Sequence, residues 1–312
     1  MTEKAAFRPL EQVHVDEDRA GQRLDNFLFT RLKGIPRTVI YRIMRTGQVR
    51  VNKGRVKPHY RVQNGDIIRI PPLREGQDKP AAQVGNDALV AQLRNAVIYE
   101  DKQIVVLNKP SGLAVHGGSG LNYGLIEVLK SMAPDYADCE LVHRLDRGTS
   151  GCLLLAKNHQ VLRELHGLLR QHRIEKRYLS LLKGAVVKPL SIDAALSRVK
   201  RGGERLVNIE ADGKTASTHI SPLQHYRNAT LCEVQIDTGR THQIRVHCAS
   251  LHHAVAGDEK YGDREFNTAM RGKGLKRLFL HASGIRFYLD REYIIEAPLA
   301  AELDCVLETL DE

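Results

Sequence analysis

Two runs of apolar residues near the N-terminus recur every three or four positions, which is the period of an amphipathic helix. The runs consist of Leu24, Phe27, Leu28 and Leu32, and then of Val39, Ile40, Ile43 and Met44. Gly34-Ile35-Pro36 separates the two runs, and Gly47 follows the second one, as glycine commonly does after the end of a helix. Short strand-like segments continue to residue 70. The pattern predicts one compact unit of two helices and short strands over residues 20–72.

From residue 98 onward, helical and strand patterns mix without the regular alternation of a βαβ fold. Strands are predicted at residues 104–107, 177–186, 216–222, 230–237 and 285–289, and helices at residues 122–132 and 161–169. This mixture indicates an α+β domain with a mixed, mainly antiparallel sheet over residues 96–312.

In two segments the apolar residues do not recur with any sustained period. Residues 1–19 are predicted to be a tail. Residues 73–95 contain Pro, Gly, Gln and Asp and are predicted to be a linker that is at least partly flexible.

The positive charge of the chain is confined to one part of it. The 312 residues carry a formal net charge of +10. Residues 21–71 hold 12 Lys or Arg and 2 Asp or Glu, whereas the rest of the chain holds 35 of each kind. A basic surface can simply be solvated, but such a concentration is typical of a module that docks on RNA or DNA.

One polar segment, residues 143–151, reads His-Arg-Leu-Asp-Arg-Gly-Thr-Ser-Gly and is followed by an apolar run. Its carboxylate, Asp146, lies between Arg144 and Arg147, just before a predicted turn and a predicted buried strand. A carboxylate held there beside two phosphate-binding groups suggests nucleophilic chemistry on nucleic acid. Taken alone, Asp146 could equally well cap the turn.

Residues 143–151 resemble the signature of the RluA-type family of RNA pseudouridine synthases. Further blocks of that family appear in its order at residues 107–112, 177–184, 239–247 and 257–262. The resemblance covers roughly residues 95–300 and implies a pseudouridine synthase fold. The basic unit at residues 20–72 resembles a small S4 (α-L) RNA-binding domain, including its turn at residues 47–52.

The resemblance implies an isomerase that converts specific uridines of 23S ribosomal RNA to pseudouridine after flipping out the base. Residues 37–72, 108–120 and 261–266 carry the similarity to family members that act on 23S RNA. Three alternatives stay open: a synthase acting on other rRNA or tRNA sites, a non-catalytic S4-type RNA-binding protein, and a nuclease or phosphotransferase. The last would need clustered carboxylates for metal ions, and only Asp146 stands out in the signature.

The resemblance also implies three catalytic residues. The family places its essential aspartate at Asp146, which would be the nucleophile. It pairs this aspartate with an arginine, here Arg245, whose planar guanidinium could hold the carboxylate by a bidentate bond. Tyr178 would stack on the flipped pyrimidine and act as general base toward its C5 proton. Structural alternatives are a surface position for Arg245 and a core position in a strand for Tyr178.

Eight residues are predicted to bind RNA. Arg144 would fill the gap left by the flipped nucleotide or contact a phosphate, and Arg147 would contact RNA beside it. Leu280 would pack against the target base or belong to the core. The candidates in the N-terminal unit are Arg31, Arg37, Arg42, Arg45 and Lys53.

The remaining expectations concern cofactors, partners and location. The isomerisation requires no nicotinamide, ATP or metal ion, and the sequence has no P-loop, so we expect no cofactor. Several histidines, including His242, lack metal-ligand spacing, and no metal site is expected. The five widely spaced cysteines and an N-terminus without an apolar signal core suggest a cytoplasmic protein. We expect a monomer whose partner is 23S rRNA or its assembly intermediates, and no membrane partner.

Overall fold

The computed structural model describes residues 7–32, 35–74, 87–117, 123–201 and 204–311. The chain divides into two compact units, Met1–Gln83 and Val84–Glu312. Buried apolar residues form a separate core in the first unit, and the second unit has a larger core of its own.

The N-terminal unit contains two helices and a small antiparallel sheet. In chain order its elements are β1 (Phe7–Arg8), β2 (Glu11–His14), a 3₁₀ turn (Glu17–Arg19), α1 (Leu24–Arg31), α2 (Arg37–Arg45), β3 (Arg50–Val51), β4 (Ile67–Ile70) and β5 (Leu73–Arg74). β2 and β3 flank β4, and β1 pairs with β5. Leu24, Leu28, Ile40 and Ile43 are at most 2% exposed, which confirms the two predicted helices. Gly47 has a φ of 68°, the left-handed conformation that commonly ends a helix.

The prediction of a tail over residues 1–19 is wrong for its second half. β2 pairs with β4, with Val13 opposite Ile68, and both Val13 and Val15 are buried. A four-residue edge strand is too short to give a clear period in the sequence. Its hydrogen-bond partners come from β4, more than 50 residues later in the chain.

The predicted linker over residues 73–95 is wrong at both ends. Leu73–Arg74 forms β5, and a helix, α3 (Asp87–Asn95), belongs to the second unit, where Leu93 is fully buried. Because Leu93 alone is fully buried in this helix, its apolar stripe is too narrow to stand out from the sequence. The middle of the predicted linker, residues 75–86, lies outside the described residues.

The C-terminal unit is built around one long sheet. Its elements after α3 are β6 (Val97–Glu100), β7 (Ile104–Lys109), α4 (Leu125–Met132), a 3₁₀ turn (Pro134–Tyr136), β8 (Glu140–Leu141), β9 (Ser150–Ala156), α5 (His159–Arg170), β10 (Glu175–Lys183), β11 (Leu190–Asp193), β12 (Leu196–Arg201), β13 (Glu204–Ile209), β14 (Ser217–His225), β15 (Ala229–Ile236), α6 (Gln243–Ser250), α7 (Arg264–Gly272), β16 (Leu280–Tyr288), β17 (Glu292–Glu296) and α8 (Ala301–Asp311). The strand order is β11-β14-β15-β10-β16-β9-β7-β6, with β17 paired to β16 and β8 to β9.

Within the described residues, the strand pairs of this sheet are antiparallel except for β16 with β9. The predicted α+β class with a mixed, mainly antiparallel sheet is therefore confirmed. β12 and β13 form a separate hairpin, which the sequence pattern did not predict.

The middle of the sheet brings the predicted catalytic blocks together. β9 follows the Asp146 segment directly and is buried at every position. Its neighbour β16 begins with Leu280, and the next strand, β10, carries Tyr178. β9 and β16 meet at Gly151 and Ala282, where a Cβ on Gly151 would collide with the Ala282 carbonyl. Glycine at this position lets the strand that follows Asp146 lie directly against the strand that carries Leu280.

Candidate active site

Asp146 lies in a short loop that enters β9. The backbone N–H of Thr149 donates to the carbonyl of Asp146 at 3.1 Å, which closes a tight turn. Leu145 is buried beneath the loop, whereas Arg144 is exposed. The Asp146 side chain is 18% exposed, so its carboxylate is held largely out of water but remains reachable from outside.

A buried lysine anchors the same loop. The Nζ of fully buried Lys109 donates to the carbonyls of Pro110 at 2.8 Å, Leu113 at 2.9 Å and Arg147 at 3.3 Å. Burial lowers the pKa of Lys109 to about 7, although the charge of Asp146 opposes this shift. Three carbonyls around one nitrogen also favour the ammonium form, which has three N–H donors. Lys109 therefore joins the segment after β7 to the loop that carries Asp146.

A cleft opens beside Asp146 at the centre of the sheet. It holds about 470 Å³ of empty space, including the open solvent at its mouth. The three predicted catalytic residues and two of the predicted RNA contacts line it: Asp146, Tyr178, Arg245, Arg144 and Leu280. The structure thus brings together five residues that span more than 130 positions of the chain.

Arg245 approaches Asp146, but its main partner is a different carboxylate. Its Nε and Nη2 each donate to Asp258 at 2.7 Å, whereas Nη1 lies 3.7 Å from Oδ2 of Asp146. The predicted bidentate bond between Arg245 and Asp146 is therefore wrong, because Asp258 occupies that side of the guanidinium. Burial opposes the charged form of Arg245, but the hydrogen bonds and charge of Asp258 and the charge of Asp146 raise its pKa above the ordinary value.

His242 is a site residue that the sequence reasoning missed. It precedes α6 with a φ of 56°, and its Nε2 lies 3.8 Å from Oδ2 of Asp146. Its Nδ1 lies 2.8 Å from the hydroxyl of Tyr261. Burial lowers the pKa of His242, with Asp146 opposing the shift and Arg245 adding to it. The available signal was its place in the 239–247 block, three residues before Arg245.

Tyr178 presents its ring to the cleft from β10. Opposite Tyr178, β16 has one residue more than β10, because Arg177 pairs with Gly284 and Leu179 with His281, and such a bulge bends the strand that carries the extra residue. Tyr178 is buried, and burial raises its pKa far above the ordinary value, with the nearby charge of Asp146 adding to the shift. The phenol therefore stays neutral at physiological pH, which weakens the case for a general base and leaves its aromatic face available.

The predicted RNA contacts fall into three groups. Arg144 is exposed at the cleft, and Leu280 is buried in its wall. Arg147 is exposed, but its Nε donates to the Gly112 carbonyl at 2.8 Å, and it does not line the cleft. In the N-terminal unit, Arg31 is paired with Glu11. Three others there are exposed and have no hydrogen bond or ion pair from their charged ends within the described residues: Arg42, Arg45 and Lys53. Arg37 is the first residue of α2, and its side chain lies outside the described part.

Comparison with known proteins identifies the family. Residues 103–250 match a family model described as RNA pseudouridylate synthase, and residues 22–68 match the S4 domain. A Haemophilus influenzae protein named ribosomal large subunit pseudouridine synthase C is 48% identical, over 91% of this chain and 89% of its own. The chain belongs to the RNA pseudouridine synthase family. The synthase is also 46% identical to the protein of the same name from Escherichia coli K12, over 96% of each chain.

A solved structure supports the same assignment. Human RNA pseudouridylate synthase domain containing 4 matches the synthase with a TM-score of 0.61 and 25% identity, over 72% of this chain and 96% of that one. The two family models confirm the predicted family and the predicted S4 domain, and relatives named for the large ribosomal subunit bear out the predicted similarity to family members that act on 23S RNA.

Three further observations concern metal ligands, membranes and the cysteines. Within the described ranges, no three His, Cys, Asp or Glu side chains gather closely enough to hold a metal ion. No helix in that part of the chain has the length and apolar character needed to span a bilayer. All five cysteines are free thiols, and Cys305 is exposed while the other four are buried.

Proposed function

We propose that the synthase converts specific uridines of 23S ribosomal RNA to pseudouridine, with Asp146 as the nucleophile. Relatives at 44–48% identity are named for the large ribosomal subunit, which supports the substrate. The observation that carries the catalytic assignment is the cleft in which Asp146, Tyr178 and Arg245 meet. Asp146 is the carboxylate that lines this cleft, so it is the group available to attack a flipped nucleotide.

The reaction is an internal rearrangement. The bond between C1′ and N1 breaks, the uracil rotates, and C5 bonds to C1′. C5 loses a proton and N1 gains one, so no oxidant, reductant or second substrate is needed. A covalent adduct with a carboxylate divides this rearrangement into two easier steps. The adduct of Asp146 could form at C1′ or at C6, or the carboxylate could first remove a sugar proton.

The cleft residues support a flipped base. An extruded uracil loses its stacked neighbours, and an apolar or aromatic surface replaces them. Tyr178 and Leu280 supply that surface on β10 and β16, and the neutral phenol of Tyr178 stacks on the pyrimidine. Arg144, two residues before Asp146 and exposed, fills the gap in the RNA stack or contacts a phosphate there. Arg147 contacts the RNA backbone beside it.

The N-terminal unit supports a docking role that is separate from catalysis. Arg42, Arg45 and Lys53 present charges that have no partner among the described residues, and such charges bind phosphates with little regard for sequence. Arg37, whose side chain lies outside the described part, stays a predicted RNA contact. Arg31 contributes less, since Glu11 neutralises it. The synthase acts in the cytoplasm as a monomer on 23S rRNA or its assembly intermediates.

Mapping of pseudouridines in a strain that lacks this protein tests the proposal. We expect one or more 23S rRNA positions to lose pseudouridine and to regain it with the wild-type gene but not with Asp146→Asn. Restoration by Asp146→Asn would refute the nucleophile and would favour a non-catalytic RNA-binding role. Unchanged 23S rRNA with a lost tRNA or other rRNA modification would instead identify the alternative substrate.

Assays with purified components distinguish the candidate RNA substrates directly. The synthase should form pseudouridine in protein-free 23S rRNA or in isolated large-subunit assembly intermediates, and not in bulk tRNA. Efficient turnover of tRNA alone would contradict the ribosomal assignment while leaving the chemistry of the cleft intact.

A further inference from the structure

A tight turn lies behind the two groups that face Asp146. We call residues 257–262 the Asp258 turn. Asn267 of α7 holds it from both sides, accepting from the Gly257 N–H at 2.8 Å and donating to the Asp258 carbonyl at 2.9 Å. Gly257 has a φ of 74°, and a Cβ on Gly262 would collide with the carbonyl of Asp258. The turn is therefore compact and fixed to the body of the catalytic unit.

Asp258 is an anchor for Arg245 and does not line the cleft. Its side chain is 1% exposed, and its two oxygens accept four hydrogen bonds. Two come from the guanidinium of Arg245, and two come from the backbone N–H groups of Lys260 at 2.9 Å and Tyr261 at 3.1 Å. These bonds outweigh the effect of burial and lower the pKa of Asp258. A charge-assisted fork of this kind fixes the plane of the guanidinium, which directs Nη1 of Arg245 toward Asp146.

Tyr261, in the same turn, holds His242. Its hydroxyl accepts from the backbone N–H of Val207 at 2.9 Å and lies 2.8 Å from Nδ1 of His242. Its ring packs edge to face with the imidazole, and the guanidinium of Arg245 lies 5.1 Å from the ring centre. One tyrosine thus contacts both groups that face Asp146.

The hydrogen bonds of Tyr261 favour one tautomer of His242. Burial raises the pKa of Tyr261 and lowers that of His242, so both side chains are neutral at physiological pH. The hydroxyl already accepts from Val207, and within the described residues His242 is the partner left for its proton. Donation to Nδ1 puts the imidazole proton on Nε2, the nitrogen that faces Asp146.

The two groups approach the same oxygen of Asp146. His242 Nε2 lies 3.8 Å and Arg245 Nη1 lies 3.7 Å from Oδ2, while Oδ1 has no hydrogen bond or ion pair within the described part of the chain. Hydrogen bonds of a catalytic site are often long outside the reacting complex and tighten within it. Two N–H groups on Oδ2 would fix the carboxylate and leave Oδ1 facing the target nucleotide.

We propose that the Asp258 turn is a positioning device, in which Asp258 orients Arg245 and Tyr261 orients His242 so that both hold Oδ2 of Asp146 and leave Oδ1 to react. This inference rests on the proposed function, because it takes Asp146 as the reacting group. Asp258 and Tyr261 act through their neighbours, so both are positioning residues.

The first test compares Asp258→Asn with Asp101→Asn. Asp101 is a close match, because it also accepts from two backbone N–H groups and from an arginine, Arg291, but it does not line the cleft. In single-turnover assays on a saturating 23S rRNA fragment, Asp258→Asn should slow pseudouridine formation by about 100-fold, since small displacements of reacting groups cost that much. Its Kd for the fragment should stay within about threefold of wild type. Equal rates for the two variants would overturn the role of Asp258.

The second test reads the tautomer of His242 and does not depend on activity. The ¹⁵N NMR signals of His242 are assigned as those that the wild-type synthase shows and His242→Gln lacks. In the wild type they should show a ring that is protonated at Nε2 and accepts a hydrogen bond at Nδ1. Tyr261→Phe should give a mixture of tautomers and a slower chemical step at unchanged Kd, whereas Tyr288→Phe, at an exposed tyrosine, should leave both as in wild type. A wild-type ring protonated at Nδ1, or an unchanged ring in Tyr261→Phe, would overturn the role of Tyr261.

The same assays distinguish this inference from the proposed function. If Asp146→Asn is inactive while Asp258→Asn and Tyr261→Phe match their controls, the turn has no positioning role and the nucleophile stands. If Asp146→Asn retains turnover, the proposed function itself fails. Thermal unfolding of each variant shows whether it is folded, and the NMR comparison still tests the role of Tyr261 should Asp258→Asn be unstable.

Discussion

The cleft of the synthase and helix α2 of its N-terminal unit use their charged side chains in opposite ways. In the cleft, the charges are buried and paired: Arg245 is 11% exposed and Asp258 1%, and every nitrogen of the guanidinium faces a carboxylate. In the N-terminal unit, Arg42 and Arg45 are exposed on α2 without a carboxylate partner among the described residues. Buried pairs fix geometry at a cost in desolvation, whereas exposed charges attract a polyanion over a distance and adapt to it. The comparison predicts that cleft substitutions change rate and that substitutions on α2 change binding.

The sharpest way to break this comparison is Asp146→Asn. The change preserves size and removes the nucleophile, so turnover of a 23S rRNA fragment should fall by at least about 10³-fold. RNA affinity should stay within about tenfold, because one carboxylate contributes little attraction to a polyanion. Single-turnover kinetics and equilibrium binding on the same fragment check both numbers. Substantial turnover by the purified variant would rule out a covalent role for Asp146.

Arg245→Lys should have the next largest effect. Lysine keeps the charge but cannot bridge Asp258 and Asp146 with a planar fork, so the single-turnover rate should fall by about 100-fold. Arg286→Lys is the matched control, since Arg286 also forms a two-nitrogen contact, to Glu292 on the exposed face. Weaker binding at an unchanged rate would make Arg245 a phosphate contact instead.

Neutralising the exposed charges of the N-terminal unit should affect binding alone. Replacing Arg42, Arg45 and Lys53 by Gln in the full chain should make the slope of log K against log salt concentration shallower by about two to three. It should also raise Kd by at least about tenfold at 0.15 M salt. The rate at saturating RNA should not change. The charge-matched control replaces three exposed basic residues of the catalytic unit: Lys102, Lys188 and Arg227. Equal losses in both triple variants would mean that net charge, and not a docking surface, is responsible.

The smallest effect concerns the hydroxyl of Tyr178. Because its phenol stays neutral, its aromatic face should matter more than its proton, and Tyr178→Phe should slow the single-turnover step by no more than about tenfold. Tyr178→Ala should slow the same step considerably more, since it removes the aromatic surface that replaces base stacking. If Tyr178→Phe is as inactive as Asp146→Asn, the hydroxyl takes part in proton transfer after all.

Local patterns were enough to predict much of the fold. The spacing of Leu24, Leu28, Ile40 and Ile43 predicted α1 and α2, because a helix with one buried face must repeat its apolar residues at that period. The fully apolar run after Asp146 likewise predicted a buried strand, which is β9. Local patterns did not predict the short β2 or the weakly apolar α3, because each contributes few buried side chains of its own and depends on partners far away in the chain.

For the site, the residue types were predictable and their pairing was not. The resemblance of the 239–247 block pointed to Arg245, and the structure brings it to the cleft. Its partner Asp258 lies 13 residues further along, and two carboxylates compete for one guanidinium. The geometry of the Asp258 turn decides which carboxylate accepts the two hydrogen bonds of the guanidinium. The spacing of residues along the chain does not predict that geometry.

By itself, the sequence determined the elements with strong periodicity, the confinement of the excess positive charge to residues 21–71, and the family. These are properties of composition and of neighbours along the chain. Only the tertiary structure decided that His242 faces Asp146, that Tyr261 contacts His242, and that Asp258 accepts the paired hydrogen bonds of Arg245. Contacts of this kind depend on how the sheet brings distant loops together and on which of several charged partners lies within reach.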